Sequence, residues 1–237
     1  MSRFSGRDDE ARKTSKAGKA LDTGSPRLRI ESIREEASGT AIRAVGGFSF
    51  VVDRSQLEEY GLAASILVAG TELDEETEAI LRLAAEALEA ERRGLGLLAR
   101  AEQSAAMLHD KLAVRGFAER AISSAIERLK AQGFLDDRRF AAAYAASRLS
   151  RRSEGPRSLE AALRARGLDS ETAKEAVAQA FGAEDRREWL FKAIARERKR
   201  CGGDLDLLRE RLRELGYRSE EVREALSQLD ESGDTFT

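Results

Sequence analysis

One cysteine, one histidine, one tryptophan and two prolines are all that the 237 residues contain of these types. Each scarcity excludes something. A lone Cys201 forbids an intramolecular disulfide, and with a single His109 it leaves too few ligands for a structural zinc site or a histidine-based triad. Both read as bland, a plain thiol and an ordinary helix residue. No apolar run approaches the roughly 20 residues that cross a bilayer, and the first residues carry charges where a signal peptide needs an apolar stretch. The expected compartment is therefore the cytoplasm, with no membrane partner. No GxxxxGK[ST] phosphate loop occurs, and GLG at 94–96 is too short to be one, which argues against an ATPase.

What remains is a chain rich in Ala, Leu, Glu and Arg, with 41% hydrophobic residues to fill a core. That composition favours helices packed through small aliphatic side chains. The formal net charge of -2 conceals a segregation. Asp53 to Glu91 holds eleven acidic residues against Arg54 and Arg82, a balance of -9. From Arg138 to Arg166, eight arginines face only Glu154 and Glu160, a balance of +6. A near-neutral protein can thus carry a strongly basic face.

Residues 1–26 have no periodic apolar face and read as a disordered, slightly basic tail, and 231–237 as a second one. RLRIESI, TAIRAVG and FSFVVD then alternate apolar and polar residues around Ser38-Gly39 and Gly46-Gly47, predicting a small antiparallel β domain over 27–73. Such a sheet needs a cover, and the helix that Asp74 caps is expected to supply it. The acidic residues Glu75, Glu76 and Glu78 suit the positive end of that helix.

Beyond it a repeat emerges. Gly116, Gly167 and Gly216 stand 51 and 49 residues apart, each followed by a large apolar residue. Four and eight positions before them lie Leu112 and Leu108, Leu163 and Leu159, Leu212 and Leu208. Twelve before stand Ser104, Gly155 and Asp204, all acceptable N-caps. Apolar residues at helical spacing follow each glycine, and Phe140 and Trp189 mark an earlier helix in the second and third units. The expected fold is mainly α, three tandem three-helix repeats in an elongated curved array behind the β domain. The first repeat, with the acidic helix, takes 74–132, the second 133–182 and the third 183–230. Gly94 and Gly96 predict that the opening helix of the first repeat is broken or absent.

The stretches SAAMLHDKLAVRGF, IERLKAQGFLDDRRFAAAYAASRL and GPRSLEAALRARGL resemble the RecX family of bacterial recombination regulators, and YGL at 60–62 and GTELDEE at 70–76 extend the resemblance to residues 28–229. The most specific element is GFLDDRRFA combined with the registered repeats. The resemblance implies a non-enzymatic, cofactor-free protein that binds the RecA filament on single-stranded DNA and modulates, chiefly inhibits, its recombinase and ATPase activities. It implies a monomer, with a place in DNA repair, homologous recombination and the SOS response.

Asp136 and Asp137 project about 100 degrees apart on a helix, so they do not converge as an acid–base or metal pair; one is expected to cap the helix and the other to favour its first turn. Phe140 and Tyr144, spaced i, i+4, read as core, with Phe134 and Leu135 packing the preceding turn. The basic residues lack evident acidic partners in their own unit. Arg148, Arg151, Arg152 and Arg157 form one cluster, and Lys192, Arg196, Lys199 and Arg200, with Arg198, a second. They are the candidate contacts to DNA phosphates or to an acidic RecA surface, with no base read. A general helical-repeat interaction scaffold with non-specific DNA binding is the alternative; a nucleic-acid enzyme would need convergent acidic residues, which are not found.

Overall fold

The computed structural model describes residues 28–182 and 185–231, residue 38 excepted. The two expected tails lie outside these residues, save Glu231 at the end of the last helix. Three strands, β1 (Ile30–Glu36), β2 (Gly39–Ala44) and β3 (Ser49–Val52), pair antiparallel in that order. Alternation turns Ile30, Ile42, Phe50 and Val52 to one face, where they meet Leu57, Leu62, Leu73, Leu81 and Ala84. Leu57 belongs to a short helix α1 (Arg54–Glu59), capped by Asp53; Leu81 and Ala84 belong to α2 (Glu75–Leu98). Asp74 caps α2 by accepting from the Thr77 amide. The helix covers the sheet as the apolar strand faces require.

α2 also corrects an expectation. It runs unbroken for 24 residues through Gly94 and Gly96, so the cover of the sheet and the opening helix of the first repeat are one element. Gly94 serves a close helix crossing: a Cβ there would fall 2.7 Å from Leu129 Cδ1. The two ends of α2 sit in different hydrophobic clusters, Leu81 with the sheet and Ala90 with Leu108, Leu112, Ile122 and Leu129. Arg128 locks the junction. Its guanidinium meets Glu91 at 2.9 Å, Glu59 at 3.1 Å and Asp53 at 3.3 Å, tying α1 and α2 to the helix that carries it. Arg128 lies in α4 (Glu119–Ala131), which follows α3 (Ala105–Ala113).

Two further three-helix units follow. The second comprises α5 (Asp137–Arg152), α6 (Pro156–Arg164) and α7 (Ser170–Phe181); the third α8 (Asp185–Cys201), α9 (Leu205–Glu214) and α10 (Ser219–Glu231). Each unit has its own core, built on the leucine pairs of the repeat: Leu108 and Leu112, Leu159 and Leu163, Leu208 and Leu212. The glycines end the middle helices with φ of +88°, +80° and +94°, and the residue after each donates back to the carbonyl of the last leucine.

The two joints between units share one plan. The glycine turn of each later unit rests on the N-terminus of the middle helix before it. A Cβ on Gly167 would lie 2.1 Å from Ala106 Cβ, and one on Gly216 would lie 2.3 Å from the Ser158 amide. At the first joint Ser104 Oγ donates to the Arg166 carbonyl at 2.6 Å. At the second, the Gly155 amide donates to the Leu215 carbonyl at 2.6 Å. Ser104 and Gly155 hold equivalent places in their units, as do Arg166 and Leu215.

Candidate nucleic-acid interface

The first basic cluster sits at the end of α5 and the start of α6. Between these helices Ser153 adopts φ 50°, ψ 40°, a left-handed conformation that folds the chain back sharply. The reversal brings Glu154 under the end of α5, where its side chain is 6% exposed and accepts from Arg148 Nε at 2.9 Å and Nη2 at 2.8 Å. Arg152 Nη1 lies 3.9 Å from the same carboxylate. The expectation that these arginines lack acidic partners within their unit is thereby corrected. Six residues separate Arg148 from Glu154, a spacing that pairs nothing on a continuous helix; the left-handed turn makes the pair.

The second cluster lies along α8, where Lys192, Arg196, Lys199 and Arg200 follow at helical spacing on one stripe. Arg196 Nη1 donates to the Arg151 carbonyl, which sets the two clusters side by side at the joint between the second and third units. The same segment is held at three more points. Tyr217 Oη donates to the Ser153 carbonyl at 2.9 Å, and the Gly155 and Arg157 amides donate to the Leu215 and Gly216 carbonyls at 2.6 and 3.3 Å.

Within this surface the cations differ in how firmly they are held. Arg148 is committed to Glu154. Arg200 pairs at 2.9 Å with Glu197, itself buried, and still leaves its side chain 64% exposed. Lys192 sits 2.6 Å from Glu188 and 4.4 Å from the centre of the Trp189 ring. The side chains of Arg151, Arg157 and Lys199 are exposed and have no ion pair or hydrogen bond among the described residues. A backbone held at several points, with partly neutralised and free guanidinium groups, can offer charge-assisted donors to phosphates.

Asp136 and Asp137 each serve the N-terminus of a helix. Asp136 caps α5, accepting from the Arg138 and Arg139 amides. Asp137 reaches across to the first unit and accepts from the Ala105 amide at 2.8 Å, the first residue of α3. Phe140 is buried, and Tyr144 stacks on it with ring centres 6.0 Å apart. Arg166 lies 4.2 Å over the other part of that environment, against the Tyr144 ring, and donates to the Ala162 carbonyl at the end of α6. Leu135 is buried, but Phe134 stays 51% exposed because Arg139 takes the carbonyls of Gly133 and Phe134 and turns the loop outward. Sequence reasoning missed Ser153, Glu154, Glu197 and Tyr217. An acid isolated inside a basic run was the one signal available for Glu154.

Comparison with known proteins bears on the whole array. Two family models match, RecX, first three-helix domain, over residues 90–129, and RecX, second three-helix domain, over residues 136–177. The first match begins inside α2, at the half that belongs to the first unit. Regulatory protein RecX of Xanthomonas campestris pv. campestris (strain B100) is 38% identical over 122 residues, which is 51% of this chain and 72% of that protein. Regulatory protein RecX of Thermus thermophilus is 45% identical over 86 residues, 36% of this chain and 58% of that one. A crystal structure of regulatory protein RecX superposes with a TM-score of 0.66 at 22% identity, covering 83% of this chain and 99% of that chain. A crystal structure of RecX from Lactobacillus salivarius gives 0.56 at 18% identity, covering 61% and 97%. These two are likenesses of fold.

Proposed function

We propose, from the premise that this chain belongs to the RecX family of regulatory proteins, that it binds the RecA filament on single-stranded DNA and restrains its recombinase and ATPase activities. The observation that carries the reading is the joined basic surface of α5, α6 and α8. A backbone contact of this kind is insensitive to base sequence and sensitive to salt, because each neutralised phosphate releases counterions. Arg151, Arg152, Arg157, Arg196, Lys199 and Arg200 are the side chains offered to phosphates or to acidic groups of the filament. Arg148 lies beneath them, held by Glu154, and Lys192 stands at the surface, held by Glu188 and Trp189.

The chain itself turns over nothing in this reading. Any change in ATP hydrolysis arises in the partner, through contacts that alter how its subunits assemble on the strand. A string of small cores joined at repeated turns suits such a role, since it presents a long surface to a long partner. The test is DNA-dependent ATP hydrolysis and strand exchange by RecA, with and without stoichiometric amounts of this protein. Both are expected to fall. Unchanged turnover and unchanged strand exchange would overturn the proposal.

A further inference from the structure

We propose that the basic surface is composite and that the third unit fixes it through Tyr217, a positioning residue that holds the α5–α6 turn so that Arg151, Arg152 and Arg157 meet the phosphodiester backbone of a single strand. The inference rests on the phosphate-contact reading above and names the group that controls it.

Ser153 is the starting point. Among the described residues it is the one non-glycine residue with positive φ, a conformation that such residues keep when their surroundings enforce it. The enforcing contact comes from 64 residues away, the Tyr217 hydroxyl on the Ser153 carbonyl. Tyr217 is 2% exposed, and burial pushes its phenol well above the ordinary range, with the nearby Glu221 charge adding to the effect. The hydroxyl therefore stays protonated and stays a donor. On either side, the Arg196 bond to Arg151 and the two amide bonds to Leu215 and Gly216 hold the same segment to the third unit.

The first joint supplies an internal control. There the residue equivalent to Tyr217 is Leu168, whose buried side chain cannot donate, and that joint closes with no hydroxyl from this position, its cross-joint donor being Ser104 at the N-cap. A tyrosine is not needed to make a joint of this plan. What the hydroxyl adds at the second joint is the link to Ser153, and Ser153 is the residue that aims Arg152 and Arg157 from the two helix ends. Fixing the roots of these side chains in advance lowers the ordering cost of binding and sets how many phosphates are met at once.

The experiment uses the full chain with Tyr217→Phe and, as a second variant, Tyr217→Leu, the residue that the first joint tolerates. The probe is a fluorescein-labelled oligo-dT strand, titrated by anisotropy over a salt series. Both variants are expected to bind about three- to tenfold more weakly, with the slope of log affinity against log salt shallower by about 0.7 for each phosphate contact released. Emission from Trp189, which packs against the second unit's core, should stay unchanged, showing that the joint remains closed. Wild-type affinity, or weaker binding with an unchanged slope, would overturn the positioning role, since general loosening lowers the folded fraction without changing the number of phosphates met. An Arg151→Ala, Arg157→Ala double variant separates the two layers. If it too binds as wild type, the phosphate reading fails; if it weakens binding while the Tyr217 variants do not, the positioning role alone fails.

Discussion

His109 packs by the side of the first unit, with Nε2 3.0 Å from the Glu119 carboxylate and Nδ1 3.6 Å from Asp110. The hydrogen bond to Glu119 is the main cause that raises its pKa above the ordinary 6.5. Because the folded value lies above the unfolded one, the pair's contribution to stability is fully present below about 6.5 and is lost as pH rises through the raised value. As the chain holds a single histidine, its imidazole proton signals report this without ambiguity. Their titration midpoint is expected above the ordinary value in the wild type and lower in Glu119→Gln, where only Asp110 still favours the charged ring. Equal midpoints would show that the contact does not form in solution. At this scale the sequence was only partly legible. It placed His109 on a helix but could not see Glu119, ten residues on and across a turn. Likewise it placed Asp136 and Asp137 at the cap and first turn of α5, where both stand, but it could not see that Asp137 also accepts from the first amide of α3 in the neighbouring unit. Helical periodicity states which face a residue occupies, and it is silent about what the next element brings to that face.

The elements themselves were far more legible. Leucines at fixed distances from Gly116, Gly167 and Gly216 define all three middle helices, since every unit must bury the same stripe and stop at the same left-handed residue. The joints were hidden for an equally physical reason. Their bonds link Ser104 to Arg166 and Ser153 to Tyr217, 62 and 64 residues apart, and no local pattern reaches across a full unit plus a helix. The two kinds of demand on glycine can be separated. Gly116 needs its positive φ alone, with open space where a Cβ would go, whereas Gly167 needs the φ and also the contact with Ala106. Gly116→Ala should cost about 1–2 kcal/mol, the penalty of a left-handed alanine. Gly167→Ala should cost about 1–3 kcal/mol more, since the joint must also be forced apart. Urea unfolding of the two variants checks this, and equal losses would mean that the joint yields freely. The misread opening helix belongs here too. Gly94 and Gly96 look like breaks in a one-dimensional pattern, but a helix tolerates glycine when the gain is close approach of a neighbour, which at Gly94 is Leu129; Gly96 faces open space and is carried by the helix around it.

For the molecule as a whole, the same joint geometry bears on whether a second copy can seat on the third unit. Each internal joint offers a donor to the incoming turn: the Ser104 hydroxyl at the first, the bare Gly155 amide at the second. The third unit carries Asp204 at the equivalent place. Its carboxylate accepts from the Asp206 and Leu207 amides at 3.0 Å each, so the start of α9 is already satisfied from within. A carboxylate has no proton to give, and an incoming turn would set its carbonyl against a negative charge. Leu207, which holds the place of Met107 in the first unit and Ser158 in the second, is left 39% exposed there, too little apolar surface to offset that mismatch. The Gly116 turn of another copy, open though it is, should therefore find no seat on α9. Sedimentation from about 1 to 100 µM is expected to give a single monomeric species, although a chain built from repeated head-to-tail joints would otherwise be prone to add a further copy in the same sense. A mass that climbs with concentration would show that the carboxylate does not close the end. Replacing Asp204 with Ser tests the cause separately, for it removes the charge, keeps an N-cap and supplies the hydroxyl donor that Ser104 uses at the first joint, while the residue's amide stays on the Cys201 carbonyl. If the charge is what bars a second copy, this variant alone should acquire the concentration-dependent mass.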